Sequence, residues 1–152
     1  MKKIILSMIL GIMAITASAQ LKSFDIKGDL RGDFGIGAGV TLGVNDKIDF
    51  APAFNWFFTE GNLTVWAIDA DFHYNFDVAQ DFKVYPIAGL ALYHWSVSNE
   101  GVNTGKTKLG VNLGCGCQYD FSDNLAGFVD LKYQWVDGAD DTYFSLGVKI
   151  GL

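Results

Sequence analysis

The chain has 152 residues, and its 17 acidic side chains against 11 basic ones give a formal net charge of −6, which argues against a nucleic-acid partner. Half of the residues are hydrophobic, yet past the first twenty no run of 18 apolar residues occurs, so nothing there reads as a spanning helix. Two cysteines cannot make a disulfide framework, while 18 glycines, 2 prolines and a 14% aromatic content suit a chain of paired strands.

Residues 1–19 read as a secretory signal. Lys2 and Lys3 supply the positive start, residues 4–15 an apolar core, and Ala17-Ser18-Ala19 a small-residue cleavage site that leaves Gln20 first. Twelve apolar residues are too few to span a bilayer, which takes about 20. No Cys follows the site, so a lipid anchor is not expected. Residues 20–152 then form one domain, with 9 basic against 17 acidic residues and a formal charge of −8.

In chain order, the first strand is residues 21–30. Phe24, Ile26 and Leu30 share one face and Asp25, Lys27, Asp29 and Arg31 the other, before a turn at Arg31-Gly32-Asp33. Next, over 34–44, every even position is apolar (Phe34, Ile36, Ala38, Val40, Leu42, Val44) and every odd one is Gly or Thr. Turn residues then separate segments 47–58, 62–76, 82–97, 106–120, 125–136 and 142–152. That makes eight strands, each near the 9–11 residues that cross a membrane at a tilt. The stretch 98–105, rich in Ser, Asn and Gly, is expected to be the longest loop, on the outside if both termini are periplasmic.

Parity sorts the side chains. One face carries Ile48, Phe50, Phe54, Trp56, Trp66, Ile68, Phe72, Leu131, Tyr133 and Trp135, and is expected to meet lipid. The other carries Asp49, Asn55, Asp69, Asp71, His73, Asn112, Gln118, Asp130, Lys132, Gln134 and Lys149. Parity in 82–97 stays open, because both faces are mostly apolar. Aromatic residues near strand ends, Tyr85 and Trp95 among them, are expected in girdles at the membrane interfaces. An eight-strand lumen is just wide enough for side chains to fill. Asp69 and Asp71 facing Lys132 and Lys149, with His73 and Asp130 nearby, are therefore expected to form a buried charge network. Its functional counterpart is a narrow pore.

The pattern as a whole resembles the small outer-membrane β-barrel proteins of Gram-negative bacteria, a group that includes the barrel domain of outer-membrane protein A and porin-like proteins. The last strand carries the most specific likeness: Ser145, Gly147, Ile150 and Leu152 match the spacing of that group's assembly signal, with Leu152 in place of the usual terminal aromatic. The resemblance implies an all-β, eight-stranded antiparallel up-and-down transmembrane barrel in the outer membrane. It also implies insertion by the outer-membrane assembly machinery, with lipid and lipopolysaccharide as its surroundings.

Other candidate chemistry is sparse. His94-Trp95-Ser96 resembles the His-x-Ser element of outer-membrane lipid A deacylases, but an acid to orient the base is missing at that family's spacing; Lys108 and Asn112 stand there, and Glu100 is a stretched substitute. Cys115 and Cys117 share a face two residues apart and are poorly placed to bridge each other. Arg31-Gly32-Asp33 spells a tripeptide found in some adhesins, and Asp137, Asp140 and Asp141 form an acidic turn. No cofactor, metal site or catalytic centre is expected, and the chain is expected to be monomeric with a structural or envelope role. The rival readings are a lipid hydrolase using His94 and Ser96, and a soluble periplasmic barrel that binds an apolar ligand.

Overall fold

The computed structural model describes residues 19–136 and 140–151, together with residues 2, 3, 6, 7, 10 and 14. Ala17, Ser18, Asp137 and Leu152, each named above, lie outside the described residues. The strands are β1 (Gln20–Arg31), β2 (Asp33–Gly43), β3 (Ile48–Phe57), β4 (Leu63–Tyr74), β5 (Phe76–Ala79), β6 (Phe82–Asn99), β7 (Val102–Ser122), β8 (Leu125–Val136) and β9 (Asp141–Gly151). Every pairing is antiparallel between chain neighbours except two, β1 with β9 and β4 with β6. The second is itself a neighbour pairing, because β4 and β5 are two parts of one stave interrupted at Asn75, and both pair with β6. The result is a closed eight-stave antiparallel barrel. Closure satisfies the backbone hydrogen bonds of the wall, the condition for crossing a bilayer with strands.

The far end of the barrel, opposite the start of β1 and the finish of β9, differs from the sequence expectation. Residues 98–105 are not a loop. β6 and β7 stay in register up to Asn99↔Val102, and only Glu100 and Gly101 turn, with φ of 47° and 82°. Two successive residues with positive φ match the right-handed twist of a two-residue hairpin, and glycine at the second position removes half of the steric cost. β7 pairs with β8 only from Gly110 onward, so the ribbon rises above its neighbour. The β1–β2 turn is as tight: Arg31 pairs with Asp33 across Gly32, whose φ is 76°.

Side chains alternate as parity requires. Ile26, Phe34 and Leu146 on the outer face are 55%, 52% and 59% exposed. A continuous belt of that kind is an aggregation surface in water and a fitting coat in hydrocarbon. The open parity of β6 resolves with odd residues inward: Tyr85, Ile87 and Ala91 are buried, while Pro86, Ala88 and Leu90 are exposed. Tyr85 and Trp95 therefore belong to the interior and not to the interfacial girdles. Phe50 is a second departure. Its parity is outward, yet it is buried in a cluster with Leu42 and Ala70, against which Ala19 and Val40 pack.

Candidate functional site: the barrel lumen

Odd residues of β1 to β4, β6 and β9, and even residues of β7 and β8, converge on the lumen, with parity broken only by bulges at the near end, at Leu21/Ser23 and Asp120/Ser122. The near end opens into a polar vestibule of about 570 Å³, bordered by Lys22, Asp49, Asp81, Lys83, Asp120 and Lys149. Lys22 Nζ lies 2.6 Å from Asp49 Oδ1, and Asn75 donates to the other oxygen of Asp49 at 2.8 Å. Deeper, Asp25 accepts from Ser23 and Thr41, each at 2.6 Å. Lys149 is close to neither Asp69 nor Asp71. Its Nζ donates to Thr41 Oγ1 at 3.3 Å and sits over the rings of Phe128 and Tyr85. Tyr85 in turn donates to Asp130 at 2.6 Å and stacks on His73, with ring centroids 4.5 Å apart.

The middle of the lumen is closed by side chains. Lys132 Nζ donates to Asp71 at 2.7 Å and to Asp69 at 3.1 Å. Asn112 Nδ2 bridges the same two carboxylates, at 2.8 and 3.1 Å, and Asn55 donates to Asp69 at 2.7 Å. Lys27 adds a second cation 4.0 Å from Asp69 and 3.6 Å from Asp29, which accepts from Ser145 at 2.5 Å. The open space left beside this layer, between Asp25, Lys27, Asp71 and Lys132, is about 30 Å³, the share of one water molecule.

From there a chain of bonds climbs to the far mouth. Gln134 donates to Asn112 Oδ1 at 2.9 Å, and Arg31 Nη1 donates to Gln134 Oε1 at 3.1 Å and to Tyr143 Oη at 3.2 Å. The guanidinium lies over Tyr93, 4.3 Å from the ring centroid, and over Tyr143 at 4.8 Å, and it pairs with Asp141 at 3.3 Å. Phe57 stacks on Tyr143, and Leu63, Tyr93 and Trp95 complete an aromatic stopper. Arg31 is thus a lumen residue, and the Arg31-Gly32-Asp33 tripeptide is not displayed as a unit. The alternation had put Arg31 on the charged face; the turn signal beside it hid the role. Tyr85 and Tyr93 lacked any such signal, because a ring fits either face, whereas Tyr143 shares its parity with Ser145 and Lys149.

The remaining candidates stand outside the lumen. His94 and Ser96 share the outer face, but His94 Nδ1 is hydrogen-bonded to Thr107 Oγ1 at 2.6 Å and its ring stacks on Trp66. Asn112 points inward, and Glu100 sits in the turn. Cys115 and Cys117 are free thiols on the lipid-facing side. Asp140 accepts from the Val136 N–H at 3.0 Å. Among the described residues no group of His, Cys, Asp and Glu could hold a metal ion. Of the assembly-signal residues, Ser145 faces Asp29, Gly147 pairs with Lys27 and Ile150 is on the outer face.

A closed antiparallel barrel with an apolar coat and a charged, packed interior defines a transmembrane β-barrel protein. The chain belongs to the outer membrane protein beta-barrel domain family, whose pattern matches residues 8–150. No curated protein sequence matches it. Similar solved structures include the N-terminal β-barrel domain of Pseudomonas aeruginosa OprF, 18% identical over 88% of this chain and 99% of that one, with a TM-score of 0.76. Neisserial surface protein A is 18% identical over 87% and 95%, with a TM-score of 0.66. Ail, the attachment invasion locus protein of Yersinia pestis, is 13% identical over 88% and 97%, with a TM-score of 0.62. At these identities the likeness is one of fold.

Proposed function

We propose that the protein is a non-conducting outer-membrane barrel with a structural role in the envelope. On this reading residues 1–19 are removed on export, both ends of the barrel chain face the periplasm, and the assembly machinery reads Ser145, Gly147, Ile150 and Leu152. One observation carries the proposal: Lys132 is clamped between Asp69 and Asp71, and about 30 Å³ is left open beside it. A hydrated ion needs a wider path than one water's volume, and eight staves give no spare width. The role is thus one of occupying and tying the membrane, as a monomer among lipids and lipopolysaccharide.

The Ail structure has also been solved with a heparin analogue, sucrose octasulfate. A polysulfated ligand does not suit the far mouth here, where Asp33, Asp140 and Asp141 surround Arg31. The hydrolase reading is not favoured either, because the Thr107 hydroxyl stands at His94 Nδ1, where an orienting carboxylate would be needed.

The test is single-channel recording of the folded chain in a planar bilayer, with folding verified by a shift in gel migration on boiling. Silence is expected from folded protein. Discrete, reproducible conductance steps would overturn the proposal and make Lys132, Asp69 and Asp71 the residues of a gate.

A further inference from the structure

The vestibule at the near end of the barrel carries its charges in two levels. Lys83, the second residue of β6, pairs with Gln118. Asp120 lies two residues further out along β7, where its N–H meets the Asp81 carbonyl at 2.8 Å. Lys149 pairs with Ala126, and Asp123 lies further out, in the turn where the Gly151 N–H meets the Asn124 carbonyl at 2.7 Å. Asp81 and Asp123 are exposed and Asp120 half-buried, whereas Lys83 is half-buried and Lys149 only 6% exposed. All five border the vestibule. The acids thus form the rim and the two lysines lie two or three residues inside it, a step of about 7–10 Å along a strand.

The interior carboxylates around Lys149 are engaged elsewhere. Asp25, its cross-strand partner on β1, accepts from Ser23 and Thr41. Asp130 accepts from Tyr85, and Asp49 holds Lys22 and Asn75. Because Thr41 gives its proton to Asp25, it offers Lys149 only a lone pair, at 3.3 Å. That is the one hydrogen bond of the Lys149 ammonium among the described residues, and it makes no ion pair there, although it has three donors. A buried ammonium requires an anion or a set of acceptors. Those that Lys149 lacks have to come from the vestibule it borders. Lys83 makes no ion pair or side-chain hydrogen bond among the described residues either. At the rim, Asp120 takes only the Gln118 amide, at 2.8 Å.

We propose that the vestibule binds a short peptide of two or three residues, its terminal carboxylate on Lys149 and Lys83 and its amino group among Asp81, Asp120 and Asp123. Two or three extended residues span about 7–11 Å, which matches the step between the two levels. A bare anion would meet the three rim carboxylates first, and a bare cation would stop at them and leave the lysines unmatched. A phosphoethanolamine headgroup carries both charges, but too close together to reach both levels. The vestibule, about 570 Å³, is also of the size that holds small ligands, about 300–1,000 Å³. The site needs the closed barrel but neither its electrical silence nor its envelope role.

The test titrates trialanine into the full chain folded in detergent micelles, with binding followed by backbone amide NMR shifts. Saturable shifts confined to the near end, at Lys83, Gln118, Ala126 and Lys149 among others, are expected. Trialanine with its carboxylate converted to an amide should bind at least tenfold more weakly, and so should trialanine to Lys149→Met. Lys106→Met, exposed on the far ribbon, should leave the affinity unchanged. Lys83→Met is the second vestibule variant, used if Lys149→Met loses its heat-dependent gel shift. Absence of saturation, equal affinity for the amide, unchanged affinity in the vestibule variants, or tighter binding of O-phosphoethanolamine overturns the peptide site and leaves the barrel intact. Conductance steps in the planar bilayer would overturn the non-conducting reading without touching this site. Failure of the unaltered chain to show the gel shift at all removes the barrel and the site together.

Discussion

The middle of the lumen and its near end are built from the same residue types, and they behave differently. Both hold aspartates and lysines in alternation. In the middle, Asp69, Asp71 and Lys132 are buried, bonded to one another and to Asn112, with about 30 Å³ of space. At the near end Lys22, Asp81, Lys83 and Asp120 border about 570 Å³. Charge composition therefore does not distinguish a channel mouth from a plug. Packing does, because a charge taken out of water must have its partners supplied by the protein.

The largest effect expected from breaking the middle is Lys132→Ala. It leaves Asp71 buried without its cation and Asp69 with only Lys27 at 4.0 Å, a loss of about 3–5 kcal/mol. A urea titration of the barrel in vesicles, read by the heat-dependent gel shift, should show the midpoint fall. Replacing the group together, Asp69→Asn with Asp71→Asn and Lys132→Met, should recover most of the loss, since the penalty lies in the unpaired charge more than in the missing bridge. At the near end Lys83→Ala should change the midpoint by no more than about 0.5 kcal/mol.

Glycine substitution sharpens the same contrast at a smaller scale. A Cβ on Gly114 would meet the Leu131 carbonyl oxygen and lie 2.7 Å from the Lys132 Cα, both backbone atoms that cannot give way. Gly114→Ala should therefore cost about 1–3 kcal/mol as an overpacked site. A Cβ on Gly43 would lie 2.7 Å from the Lys22 Cε, the far end of a flexible side chain beside open space. Gly43→Ala should stay within about 0.5 kcal/mol. Equal costs at the two positions would mean that the near end is as tightly packed as the middle.

These contrasts also show which parts of the molecule could be read from the chain. Where a polar residue alternates with an apolar one, as in Asp69, Asp71 and His73 against Ile68, Ala70 and Phe72, the facing follows directly. β6 withheld its facing because the interior along most of it is lined by rings instead of charges. Tyr85, Tyr93 and Trp95 inside are as apolar as Leu90 and Leu92 outside. The partner of each charge was a separate matter. Lys149 and Lys132 share a face, but Lys149 pairs with Ala126 and Lys132 with Tyr143, so Lys149 stands well towards the near end, against Thr41 and Phe128. Residues 98–105 misled because turn-forming residue types describe local freedom, while strand continuation there is decided by an eighteen-residue partner, β6.

A third region for comparison is the outer face of the ribbon, where no buried charge is at stake. His94→Ala removes a stacking contact with Trp66, whose ring centroid is 4.8 Å away, and a hydrogen bond to Thr107. An aromatic pair is worth about 0.5–1.5 kcal/mol, so a urea midpoint lowered by an amount in that range is expected. Ser96→Ala should be within about 0.5 kcal/mol of the unaltered protein. Neither change should alter the acylation of lipid A in cells, measured by mass spectrometry of extracted lipid. Thr107 holds Nδ1, the nitrogen that an orienting carboxylate holds in a Ser-His-acid triad, and a hydroxyl there does not stabilise the imidazolium that a proton from Ser96 would create. If Ser96→Ala did change lipid A while leaving the midpoint in place, the outer face and not the lumen would be where this barrel does its chemistry.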